Sequence, residues 1–178
     1  PEFSKSMAYQ DTALEIGYQA TCSQPSLVAL MADLLELDDG MNVLEIGTGS
    51  GYSSALTSHL IGTGKLTTIE ISEELAELAK SNLEKHFGSI DGRIDVIKGD
   101  GSVGFPENAP YDRIYLTASV DIRTFDPLVL LEQMKDGGIL IFPEMTTNSL
   151  FIYRKEDGEL KEERHQGVVF IPLRGKNA

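Results

Sequence analysis

The stretch Val43-Leu44-Glu45-Ile46-Gly47-Thr48-Gly49-Ser50-Gly51-Tyr52 constrains this chain more than any other. Apolar and β-branched positions lead straight into three glycines at alternate places, and a helix-like segment follows. Such a pattern predicts a buried strand ending in a tight turn that aims backbone N–H groups and a helix N-terminus at a ligand. A dinucleotide fingerprint would read G-x-G-x-x-G. Here the third glycine comes one residue early, and Tyr52 stands in its place. The next predicted strand, Lys65 to Ile71, carries Glu70 at its end, where an acid accepts hydrogen bonds from both hydroxyls of a ribose. A nucleoside ligand satisfies all of this, and a pyrophosphate is not demanded.

The rest of the chain supplies a setting for that turn. Its 178 residues suit one domain with a single core, and 41% hydrophobic against 24% charged residues reads as soluble and globular. No apolar run is long enough to cross a membrane, and no signal-peptide pattern opens the chain, so a cytoplasmic location is expected. The lone Cys22 excludes an internal disulfide and a cysteine-based zinc site, and no metal is expected. With 15 Lys and Arg against 28 Asp and Glu, the net charge of −13 repels phosphate backbones and anionic lipid. Nucleic acid and membrane are therefore not expected as partners.

Periodicity predicts a helix over Gln24 to Leu37, with Leu27, Leu30, Met31, Leu34 and Leu35 as its apolar stripe. A strand at Asn42 to Ile46, a helix at Ser50 to Ile61 and the strand at Lys65 to Ile71 come next. Ser72 is placed to cap a helix through about His86, with Glu73 and Glu74 in the first turn and Lys80 and Lys85 later, as the helix dipole prefers. Strands are predicted at Ile94 to Lys98 and Tyr111 to Ala118, a helix at Phe125 to Met134, and strands at Gly138 to Phe142, Leu150 to Arg154, Leu160 to His165 and Val168 to Leu173. Strand–helix alternation followed by strands predicts an α/β fold. It is a doubly wound, mostly parallel sheet with helices on both faces and antiparallel C-terminal strands, Rossmann-like in form. Ligands in such sheets sit beyond the carboxyl ends of the strands, here Gly47 to Gly51, Glu70, Asp100, Thr117 and Pro143.

The E-x-G-x-G-x-G form resembles the S-adenosylmethionine turn of class I methyltransferases. A closer resemblance begins upstream. Tyr9-Gln10-Asp11, Leu14-Glu15-Ile16-Gly17 and Thr21-Cys22-Ser23-Gln24-Pro25 are similar to the opening segment of protein-L-isoaspartate O-methyltransferases. The likeness runs on through the glycine turn, Gly99-Asp100-Gly101-Ser102-Val103-Gly104, Ala109 to Ile114, Leu131 to Gly138 and the closing Gly167 to Leu173. The glycine turn is common to class I methyltransferases in general; the T-x-S-x-P and V-x-F-x-P-L segments are far more specific.

The resemblance implies an enzyme that transfers a methyl group from S-adenosylmethionine to the α-carboxylate of L-isoaspartyl residues in damaged proteins or peptides, leaving S-adenosylhomocysteine. It makes Ser23 the residue whose hydroxyl binds the substrate carboxylate, with Thr21, Ala118, Val169 and Phe170 around the peptide. The cofactor would lie against Glu45, Gly47, Thr48, Gly49, Ser50, Gly51 and Tyr52, with Glu70 and Ile71 at the ribose and Asp100, Gly101 and Thr117 completing the site. The family carries helices before this start, so the single domain over 1–178 is expected to lack part of an N-terminal lid. Glu15 stands where the family has Pro, while Asp121 and Glu144 read as solvated loop acids near the substrate mouth. A relative acting on another carboxylate or a small molecule, and a non-catalytic cofactor-binding module, are the alternatives.

The chemistry implied explains an absence. A carboxylate is ionised at neutral pH and a sulfonium is an activated leaving group, so transfer needs positioning and water exclusion rather than a base. His59, His86 and His165 accordingly read as surface or helix residues, and Cys22 as a small hydrophobe.

Overall fold

A computed structural model describes residues 6–178. Seven strands form one sheet in the order β5-β4-β3-β6-β7-β8-β9. In chain order these are β3 (Asn42–Ile46), β4 (Lys65–Glu70), β5 (Ile94–Lys98), β6 (Tyr111–Leu116), β7 (Met134–Glu144), β8 (Ser149–Glu156) and β9 (Glu159–Gln166). The pairs from β5 to β7 are parallel, and β8 and β9 add antiparallel to one edge. Strands β1 (Leu14–Gly17) and β2 (Ala20–Cys22) form a separate antiparallel ribbon. Among the described residues the α-helices are α1 (Pro25–Leu34), α2 (Tyr52–Leu60), α3 (Glu73–Phe87) and the single turn α4 (Leu128–Leu131).

Parallel strands are covered on both faces, so successive side chains are buried on alternate sides. In β3, Val43 joins a cluster with Met31, Leu35, Leu66 and Leu83, while Leu44 joins Ile69, Ile114, Leu130 and Phe142. Ser72 caps α3, its hydroxyl accepting the Leu75 amide at 3.3 Å, as its position predicts. Winding begins outward in both directions from β3, whose neighbours are β4 and β6. The crevice at that switch point is where such sheets hold ligands.

Three sequence expectations are corrected. Val168 to Leu173 is not a strand but an extended strap, joined to the rest by the isolated bridge Ser119–Pro172. The helix expected over Phe125 to Met134 contracts to α4, because Met134 already pairs with Tyr111 of β6. Strand β7 then reaches Ile139 opposite Arg113, so Lys135 to Gly138 bulge out of register rather than precede the strand. The β1–β2 ribbon was not expected. Its turn uses Tyr18 and Gln19 at φ 54° and 59°, without the Asn-Gly pair that marks such turns in a sequence.

Glu144 is also corrected. It is 1% exposed, and its carboxylate accepts the Thr146 amide and hydroxyl (2.9 and 2.7 Å) and the Thr147 amide and hydroxyl (2.8 and 2.7 Å), closing the β7–β8 turn. Burial pushes its pKa up, but these four bonds outweigh it and bring it down to about 2. A depressed carboxyl stabilises the fold above its unfolded value, near 4.5, and that contribution disappears as pH falls toward 2. Glu144→Gln should therefore cost about 2 kcal/mol at pH 7. Thermal melts of the two proteins should converge between pH 4.5 and 2; a gap independent of pH would refute this account of the turn.

Candidate active site

The chain leaves β3 through Gly47, at φ 98°, a conformation that L side chains rarely adopt. A Cβ there would also strike the Thr117 hydroxyl, which donates to the Gly47 carbonyl. The Gly47 amide donates to the Ile69 carbonyl (2.8 Å), stitching the turn to the end of β4. Glu70 completes the stitch. One carboxylate oxygen accepts the Gly49 amide (2.9 Å) and the other the Ser72 amide (3.0 Å). Glu70 is thus held rigidly at the crevice, with lone pairs left for further donors. Gly101, after β5, lies so close to Ile46 that a Cβ would sit 2.7 Å from its methyl.

These groups line one open-mouthed cavity, which together with the solvent space at its mouth encloses about 890 Å³. Thr21, Cys22 and Ser23 reach it from β2 and its exit, Val28 and Met31 from α1. Ile69, Ile71 and Leu75 form an apolar side, and the strap contributes Phe170 to Arg174. Of the residues singled out in the sequence, Thr21, Ser23, Gly47, Thr48, Gly49, Ser50, Tyr52, Glu70, Ile71, Gly101, Thr117, Ala118 and Phe170 stand in its wall.

Four others do not. Glu45 points to the face opposite Ile46, following strand alternation, and is fully buried. Gly51 starts α2 and packs against Ala79 and Leu83 of α3. Val169 is 77% exposed between the buried Val168 and the wall residue Phe170. Asp100 turns to its own loop and to the chain's last residues: it accepts the Ser102 amide and hydroxyl (3.0 and 2.7 Å) and the Lys176 amide (2.9 Å). Burial raises the Asp100 pKa, but these bonds win and hold it below its ordinary value.

Of the strap's wall residues, Phe170 to Leu173 fall within the Val168 to Leu173 segment that the resemblance sets beside the peptide, and Arg174 lies just beyond it. The strap's position depends on Ser119, which gives its amide to Ile171 and accepts that of Leu173, both at 2.7 Å. The Ser119 hydroxyl adds bonds to the Phe170 and Ile171 carbonyls, each 3.1 Å. Asp121, expected as a solvated loop acid, is half-buried and paired with Arg123, whose side chain brings its pKa to about 2. Cys22 has its thiol pKa raised by burial, against a smaller pull from Ser50, so it stays neutral. His59 and His86 face each other across the exposed ends of α2 and α3, Nε2 to Nε2 at 2.8 Å, away from the cavity.

A family model described as protein-L-isoaspartate(D-aspartate) O-methyltransferase matches residues 1–178. The chain belongs to this family. The protein-L-isoaspartate O-methyltransferase of Methanococcus vannielii is 51% identical over 175 residues, covering 97% of this chain and 81% of its own length. Protein-L-isoaspartate O-methyltransferase 1 of Archaeoglobus fulgidus is 45% identical, covering 99% and 79%. A solved protein-L-isoaspartate O-methyltransferase superposes with a TM-score of 0.85 at 35% identity over 97% of this chain; the chain spans 56% of that one. A methyltransferase of Thiobacillus denitrificans, solved with S-adenosyl-L-homocysteine, shares the fold at a TM-score of 0.55 and 20% identity, with 79% and 54% covered.

Within this family member the strap is seated by a fit that leaves no room at Gly175, where a Cβ would strike the Asp100 carboxylate and the Ser102 hydroxyl. Gly175→Ala should lift the end of the strap, and the Lys176 and Asn177 amides should exchange with deuterium about tenfold faster or more. Unchanged protection would contradict the latch.

Proposed function

We propose that the chain methylates the α-carboxylate of L-isoaspartyl residues in proteins or peptides, with S-adenosylmethionine as methyl donor. The observation that carries this reading is that one cavity joins the Gly47–Gly49 turn and Glu70 to Ser23 and the Phe170 strap. The wall suits the donor. Glu70 offers paired acceptors for a ribose, Ile69, Ile71 and Leu75 offer an apolar side for a base, and Gly101, with no room for a Cβ against Ile46, brings bare backbone to the wall. Bound S-adenosylmethionine supplies a methyl group already activated on a sulfonium.

The chain's own task is then positioning. Ser23 donates its hydroxyl to the substrate carboxylate and orients it, and the strap's main chain flanks the peptide. The substrate carboxylate is ionised at neutral pH and serves as its own nucleophile, so no residue has to remove a proton. Val28, Met31 and Phe170 exclude water from the reacting centre. The neutral Cys22 thiol does not compete for the methyl group. Asp121 is paired with Arg123, Glu144 is turned into its own loop by Thr146 and Thr147, and neither lines the cavity that would take an anionic substrate. A net charge of −13 and the absence, among the described residues, of a helix able to cross a membrane fit a protein that meets its substrates in solution.

Transfer of labelled methyl to paired peptides, identical except for isoaspartate or aspartate, tests the reading. Base-labile label should appear on the isoaspartyl peptide alone, and label on neither peptide would reject it. Ser23→Ala should lower kcat/KM about 10- to 100-fold, the loss expected for one bond to a charged group, with cofactor affinity unchanged. Equal loss of both would remove Ser23 from the substrate.

A further inference from the structure

Away from the cavity, two nitrogens able to bind a metal converge. His59 lies in the last turn of α2 and His86 in the last turn of α3, both exposed, with their Nε2 atoms 2.8 Å apart. The proposed reaction uses neither. Packing holds both rings in place. Phe87 lies against each, its centroid 4.9 Å from that of His59 and 4.6 Å from that of His86. Their helices are locked together at Gly51, where an added Cβ would meet Leu83 and Ala79 of α3 at 3.2–3.5 Å. The pair is thus ordered in advance, and a ligand bridging it costs little rotamer freedom.

Two neutral imidazoles at this distance share one proton: one Nε2 donates and the other accepts. A divalent ion in place of that proton takes a lone pair from each ring. Metal–imidazole bonds of about 2.0–2.1 Å separate two such nitrogens by about 2.9 Å at a right angle and about 3.3 Å at the tetrahedral angle. The observed 2.8 Å lies just inside that span, so a small outward turn of the exposed rings admits the ion. We infer that His59 and His86 form a binding site for a divalent transition-metal ion of the kind imidazole suits (zinc, nickel or copper), with water completing its coordination.

The surroundings favour a cation. Both rings stand at helix C-terminal ends, where unpaired carbonyls carry partial negative charge. Arg93 shows the α2 end attracting positive charge: its guanidinium donates to the Ser58 and Gly62 carbonyls (3.1 Å each) and to the Ser58 hydroxyl (3.2 Å), and it stands over the Phe87 ring, 5.5 Å from the centroid. Lys85 precedes His86 in the chain, and helix neighbours one apart do not share a face. Among the described residues no group of three His, Cys, Asp or Glu is placed for a metal, so the ion has two protein ligands and exchanges readily. A two-histidine site needs no cysteine and lies outside what the lone Cys22 excludes. The ion ties together the far ends of α2 and α3, whose near ends begin at the glycine turn and beyond Glu70.

The site stands apart from the reaction, so its test does not depend on what the chain methylates. The whole chain, without a polyhistidine tag, is titrated calorimetrically with zinc chloride. One ion per chain should bind saturably at submillimolar zinc. His59→Gln and His86→Gln should each weaken binding about tenfold or more, while His165→Gln, on the exposed β9, should leave it within about twofold. Copper should bind more tightly than zinc, and magnesium, which prefers oxygen ligands, should not displace it. Hydrogen exchange gives a second readout: zinc should slow the amides in the last turns of α2 and α3 in the wild type and in neither glutamine variant. Both histidines are exposed, so the variants keep the fold. Absence of saturable binding below millimolar zinc, binding that survives either glutamine variant, or displacement by equimolar magnesium would overturn the inference.

Discussion

At Gly47 the ends of β3 and β6 pass so closely that the Thr117 hydroxyl occupies the place of a side chain. The rest of the site depends on that contact. Because the sheet is wound outward from β3, its ligand crevice opens between β3 and β6, and any side chain at Gly47 would wedge the crevice apart. With the turn seated, the Gly49 amide reaches Glu70 at the end of β4, and the Gly51 amide closes on the Thr48 carbonyl (3.0 Å) to start α2. Three strand ends are thereby held in one rigid frame, and ligand geometry is set by backbone rather than by mobile side chains.

The two sides of the cavity are built differently. The side holding Gly47, Glu70 and Gly101 grows from buried parallel strands, whose geometry is locked by the layers above and below. The side holding Ser23 and Phe170 grows from a two-stranded ribbon and a strap, the strap tied at separate points: the Asn148 carbonyl at its start, Ser119 near its middle, and Asp100, Ser102 and Asp126 beyond its end. Elements attached so sparsely open at lower free energy than core strands. That division suits a site that must fix a small ligand exactly where a large, variable peptide can enter and leave.

The sequence disclosed the first side far better than the second. Asn42 to Ile46 is a strand with the bounds its sequence predicts, because burial on both faces leaves a nearly continuous signal, and the half-buried edge strand Ile94 to Lys98 also keeps its predicted bounds. Ser72 marked the start of α3 through side-chain chemistry that is local to the helix end. The strap carries no such signal: its extended form comes from Ser119, about fifty residues away in the chain. Likewise Gly137 and Gly138 look like the stop of a helix, yet pairing of Met134 with Tyr111 turns them into a bulge. Ser23 and Phe170 were reached through resemblance to a family, whereas Glu70 was reached through the physics of a strand end. Glu45 was placed beside the ligand on motif alone, and strand alternation put it one layer below, behind Thr68 and Thr48.

A crystal structure with S-adenosylhomocysteine bound tests the central claim most directly, since the claim is that this frame holds a nucleoside against Glu70 and points its sulfur toward Ser23. The account predicts both ribose hydroxyls within hydrogen-bond distance of the Glu70 carboxylate, with the sulfur on the Ser23 side of the cavity. A ribose bound away from Glu70, or a sulfur directed away from Ser23, would contradict it.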